Sequence, residues 1–217
     1  MTEEKTGALA LIIGASMYVV VMVFHPSHIA SPVVGHLTLN ALVHGLALVM
    51  VPIMAFGAFS LSRVLDARRP LPAVGLAFYS FGLMGVLIAA TMSGLVMPEI
   101  IGAAHAPDAD PSVSFQQIAM FSGWINQGFA HVHVAFMSLA IVFWSLAWTE
   151  TLRFRRTLRT LGMICGLGIL GWQIFGNLTL DVHGMGVVVF AQSGWTILAG
   201  LSLWAGKHRA KSIPIVD

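Results

Sequence analysis

Charge is scarce in this chain. Asp, Glu, Lys and Arg make up 9% of its 217 residues, against about 25% in a soluble domain. With 57% hydrophobic residues and a mean hydropathy of +0.85, there is too little polar surface to cover a water-soluble globule. Lipid must be the main solvent. Cysteine is limited to Cys165, which excludes an intrachain disulfide and a CxxC metal or redox motif. HExxH, Walker A and GxSxG motifs are absent, and so is a lysine deep in an apolar run. These absences argue against a zinc protease, an ATP-driven pump, a serine hydrolase and a rhodopsin-like Schiff base. The start, Met1-Thr2-Glu3-Glu4-Lys5, lacks a basic leader and a small-residue cleavage site, so the first apolar run reads as a retained span.

What is present is six long apolar runs. A hydrocarbon core of ~30 Å needs about 20 apolar residues in a helix. The runs 7–25, 37–61, 71–97, 118–148, 158–178 and 182–205 qualify. Lipid offers no partner to open backbone groups, and the alternating pattern of a barrel is missing, so the spans read as helices. The expected fold is an all-α, six-span bundle forming a single membrane domain. Its fourth run is longer than a bilayer needs and should tilt or project outward. Ser114 with Gln117 has the spacing of a capping box at its start.

All eleven basic residues fall in the same set of connections. Lys5 precedes span 1, Arg63, Arg68 and Arg69 join spans 2 and 3, and Arg153, Arg155, Arg156 and Arg159 join spans 4 and 5. Lys207, Arg209 and Lys211 follow span 6. The other connections hold Glu99, Asp108, Asp110 and Asp181 instead. The positive-inside rule then places both termini in the cytoplasm of a bacterial-type inner (plasma) membrane. It also removes the pI of 9.0 as a sign of nucleic-acid binding, because the basic groups report orientation. Thr38-Leu39-Asn40 with Val43-His44-Gly45 echoes Thr179-Leu180-Asp181 with Val182-His183-Gly184 across a two-residue gap. That echo suggests a chain built from three helical hairpins.

Counting along each helix at ~1.5 Å per residue brings one set of polar residues to the outer third of the bundle. His25 ends span 1, and His44 lies about one turn inside span 2. Glu99 follows span 3, His131 and His133 lie on span 4, and Asp181 and His183 open span 6. Polar residues facing lipid are costly, so these should face the bundle or a wet cavity. Asn40 shares a face with His44, Gln127 with His131, Asn126 with His133, and Gln173 with Asn177, while Gln192 aligns with Asp181 at greater depth. His131 and His133 point in roughly opposite directions. His28, His36 and His105 fall in loops, and His208 falls at the basic end.

Several functions fit this pattern. His44 with His131 or His133 has the plan of a bis-His haem b site. His25, His44, His183 and Asp181 have the chemistry of a divalent-metal site. Without a cofactor, the same slab reads as a polar cavity for a hydrophobic small molecule, as in a carrier or sensor. His183 with Asp181, or His44 with Glu99, would serve as acid and base in an enzyme acting on a lipid or other hydrophobic substrate. The chain also reads as a structural subunit of a membrane complex, with the histidines incidental. The plainer reading of Asn40, Asn126, Gln127, Gln173, Asn177 and Gln192 is interhelical hydrogen bonding. For Gly82 and Gly85, and for the glycines between Gly162 and Gly171, it is close helix approach.

Overall fold

The computed structural model describes residues 2–25, 33–34, 37–106, 113–148, 153–176 and 178–206. His28, His36, Asn177, His208, Asp108, Asp110 and the basic cluster after span 6 lie outside them.

Among the described residues, six helices are long and apolar enough to cross a membrane. They are α1 (Glu3–Val23), α2 (Leu39–Val64), α3 (Pro70–Ala104), α4 (Phe115–Ala147), α5 (Arg153–Phe175) and α6 (Val182–Trp204). A two-residue antiparallel ladder, β1 (Val33–Val34) with β2 (Leu37–Thr38), precedes α2. Thr2, Thr38 and Asp181 cap α1, α2 and α6 through side-chain oxygens, each satisfying a backbone donor that a helix start leaves open. Pro70 opens α3, where its missing N–H costs nothing. The expected capping box at Ser114 does not form: its side chain makes no capping bond, and its ψ of 79° is far from the extended ψ of the other caps. Hydropathy marks the lipid span rather than the helix, so the helices overrun the apolar runs. The overrun is greatest in α3, which continues from the expected end at 97 to Ala104, and α5 likewise begins early, among arginines at Arg153.

The helices form a closed ring in the order α1, α2, α3, α4, α5, α6, with α6 packing back onto α1. That last contact is more extensive than the one between α5 and α6. Glu3 pairs with Arg63 and Lys5 lies over the Trp204 ring, so the basic starts and ends of different helices share one end of the ring. The core near that end is aromatic: Trp144 stacks on Trp195, the Trp144 indole donates to Ser62 Oγ at 2.9 Å, and that of Trp195 donates to the Leu158 carbonyl at 3.0 Å. Met50, Met54, Met137 and Ile141 fill the middle.

α3 and α4 make the tightest pair. A Cβ at Gly85 would stand 3.0 Å from the His133 nitrogen and the Phe129 carbonyl, and one at Gly82 would stand 2.9 Å from Met137 Cγ. Only glycine lets the backbones come this close. Of the α5 glycines, Gly162 and Gly166 press on α4 in the same way, whereas Gly168 and Gly171 face open space.

Candidate ligand cavity

At the end of the ring away from the arginines, five of the six helices surround a cavity of about 480 Å³. α1 contributes Tyr18, Val21, Met22 and His25, and α2 contributes His44 and Ala47. Val86, Ala89, Ala90 and Ser93 come from α3, Asn126, Gln127 and Ala130 from α4, and Leu180 to Val182 with Met185 from the start of α6. The walls are mainly apolar, with a few polar groups converging on them, as is usual for a small-molecule pocket.

The α3 wall is built by a local irregularity. Residues 92–96 form a π turn, in which the Met97 N–H donates to the Met92 carbonyl, five residues back. The next bond of that register would run from residue 98 to the Ser93 carbonyl, but Pro98 has no N–H to give. The Asn40 side chain fills the vacancy, donating to the Ser93 carbonyl at 2.9 Å. The turn also brings Gly94 directly against His44, where any Cβ would collide with the His44 Cβ. The sequence reading placed the end of this span at residue 97, but the helix continues through Pro98 to Ala104.

His44 is thereby held from two sides. Its Nδ1 lies 2.8 Å from the Asn40 carbonyl. A carbonyl only accepts, so Nδ1 carries the proton and Nε2 is the remaining polar atom of the ring. The His25 ring stands edge-on to it, with centroids 5.1 Å apart.

Beneath the cavity lies a buried pair. His133 Nδ1–H donates to the Gly82 carbonyl at 2.8 Å, leaving Nε2 to accept from the Tyr18 hydroxyl at 2.6 Å. His133 is 1% exposed and Tyr18 is 6% exposed. Tyr18 was not among the residues singled out from the sequence. Its position seven residues before His25, on the same helical face, was the available signal.

Other expected site residues serve as clamps. Gln192 donates to the Val134 carbonyl at 3.2 Å and to Ser138 Oγ at 2.9 Å, tying α6 to α4. Gln173 donates to the His131 carbonyl at 3.1 Å and to its Nδ1 at 3.3 Å, tying α5 to α4. Gln127 lines the cavity and reaches the Leu180 carbonyl at 3.4 Å. Asp181 lines the rim and caps α6, accepting from the Gly184 N–H at 2.8 Å. That bond chiefly, helped by the His183 N–H and the Thr179 hydroxyl, holds its carboxyl below the usual carboxylate range.

Glu99 and His183 are exposed and are not among the residues that line the cavity. The four-residue metal set is not assembled: among the described residues no group of three or more His, Cys, Asp or Glu is gathered to hold an ion. The bis-His plan meets an obstacle of a different kind. Both nitrogens of His133 are already hydrogen-bonded within the protein, and His131 is engaged with α5.

Fold and cavity together define a bundle of six membrane-length helices with a partly open, mainly apolar cavity at its non-basic end. No family model, curated protein or solved structure matches the chain.

Proposed function

We propose that the protein is a multi-pass membrane protein that binds a small, largely apolar molecule in this cavity, with His44 as the principal polar contact. The positive-inside rule orients the cavity toward the outer leaflet, with both termini cytoplasmic. One observation carries the reading. The π turn, Gly94 and the Asn40 carbonyl together fix His44 beside a cavity of about 480 Å³, with one ring nitrogen left over. π turns of this kind recur at functional sites, and a cavity of this size suits a drug-sized ligand. His133 has both ring nitrogens bonded within the fold, and Gln173 and Gln192 have their amide nitrogens bonded between helices, whereas His44 bonds only through Nδ1, within its own helix.

The test is solvent extraction and mass spectrometry of gently purified protein, together with its absorption spectrum. We expect a co-purifying apolar compound that is lost in His44→Ala while the protein stays folded. Retention of the same compound in His44→Ala and in a cavity-filled variant would refute the reading. A Soret band would replace it with haem held through His44.

A further inference from the structure

The cavity's polar lining includes the donor-capable side chains of His25, Ser93 and Asn126, but its one formal charge among the described residues is the Asp181 carboxylate, and its two deepest-set polar groups, on His44 and Tyr18, face it as acceptors. His44 commits its ring proton to the Asn40 carbonyl, so Nε2 is an acceptor in the neutral ring. Tyr18 commits its proton to His133, so toward the cavity its oxygen also accepts. Asp181 is a carboxylate and only accepts. Gln127 has directed its amide nitrogen toward the Leu180 carbonyl. No lysine or arginine is among the described residues that line the chamber. The acceptor roles of His44 and Tyr18 are set by bonds pointing away from the cavity, so they are built into the fold.

We infer that the cavity takes a neutral or cationic molecule whose apolar body ends in a head bearing N–H or O–H donors, an amphipathic amine above all. This rests on the cavity being the ligand site. An ammonium or hydroxyl head satisfies His44 Nε2 and the Tyr18 oxygen, and an ammonium is further favoured by the Asp181 charge. A carboxylate or phosphate head would bring a second negative charge to a site that holds Asp181, with no lysine or arginine in the described lining to offset its desolvation.

The experiment uses the full chain in nanodiscs and three probes of matched shape: phenylbutylamine, phenylbutanol and phenylbutanoate. Saturable binding is measured by calorimetry against empty nanodiscs at about pH 8, where imidazole is neutral. Ala89→Leu and Val182→Trp serve as independent cavity-filling variants, with folding checked by circular dichroism. We expect the amine to bind tightest and the carboxylate at least about tenfold more weakly, since a hydrogen bond to a charged group is worth about that factor. Both filling variants should abolish binding. Asp181→Asn keeps a capping side chain and should weaken the amine more than the alcohol. Equal binding of all three probes, or tighter binding of the carboxylate, with loss in the filling variants, overturns the inference about the head and leaves the cavity reading standing. Absence of saturable binding, or binding indifferent to both filling variants, overturns both.

Discussion

The Asn40–Ser93 bond exists, by the reasoning above, because Pro98 cannot donate. Removing Asn40 should therefore matter only while residue 98 is proline. Asn40→Leu keeps the branched shape of the side chain but strands the part-buried Ser93 carbonyl, which now accepts from Asn40 Nδ2 at 2.9 Å. Side-chain hydrogen bonds in membrane bundles average about 0.6 kcal/mol and reach about 1.7 kcal/mol. An unmet buried carbonyl costs about 1–3 kcal/mol. We expect Asn40→Leu to cost about 1–1.5 kcal/mol, which corresponds to a fall in Tm of about 2–6 °C for a chain of this size. Pro98→Ala restores an N–H one residue beyond the Met97–Met92 bond, placed to complete the π register. In that background Asn40→Leu should cost less than about half as much. The assay is a double-mutant cycle on thermal or denaturant unfolding in one detergent, followed by circular dichroism. Equal costs in the two backgrounds, within the ~0.3–0.5 kcal/mol scatter of additive sites, would refute the link between Pro98, the π turn and Asn40.

Four other outcomes follow from the same geometry. Tyr18→Phe and His133→Leu should each destabilise the bundle, and their double-mutant cycle should show a coupling of about 0.6–1.7 kcal/mol, since each single change strands a buried partner; strict additivity would contradict the pair. Gly85→Leu should drive α3 from α4 and cost at least about 1–3 kcal/mol, because the neighbours at 3.0 Å are backbone atoms; an unchanged Tm would contradict the close approach. The Asp181 carboxyl is held below its ordinary value, chiefly by the Gly184 N–H, so its contribution to stability is full above about pH 4 and falls as pH drops through the folded value. Asp181→Ala should be less stable at neutral pH and should flatten that acid limb of the unfolding profile. Finally, in a Cys165→Ser background, a cysteine at Ala103 should react with an impermeant maleimide added to whole cells, and one at Ala67 only after lysis. The reverse pattern would invert the topology.

The fold was legible in the sequence because a bilayer imposes a length and a backbone rule that a hydropathy count detects directly. Six runs appeared as six helices, and the largest errors at their ends fall where a helix continues beyond the apolar run, as at Arg153 and Ala104, while α1 and α5 stop short of the expected ends at 25 and 178. The ring order was not legible, since lipid-facing and partner-facing aliphatics look alike and small residues mark contacts without naming the partner. Gly82 and Gly85 announced a close approach but gave no sign that α4 would meet them. The π turn was hidden for a related reason. Pro98 was visible, but it reads as a helix end unless the register five residues back is known.

The polar residues expose the limit most clearly. Counting along helices brought His25, His44, Glu99, His131, His133, Asp181 and His183 to neighbouring depths, with Gln192 deeper, and helical spacing grouped Gln173 and Asn126 with polar partners on the same faces. What separates them is where each side chain spends its hydrogen bonds, and the receiving atoms are mostly backbone carbonyls: those of Gly82, Val134, His131 and Asn40. Every residue has such a carbonyl, so no pattern of letters marks the ones used. His133 and Gln192 spend their donors between helices and hold the ring together. His44 spends one within its own helix and keeps Nε2 in hand beside the cavity. A histidine whose proton goes to its own helix is therefore the better candidate for binding than one whose proton goes to a neighbour, although both are buried. On the proposed function, that difference assigns His133, the deeper of the two, to the architecture and His44 to the ligand.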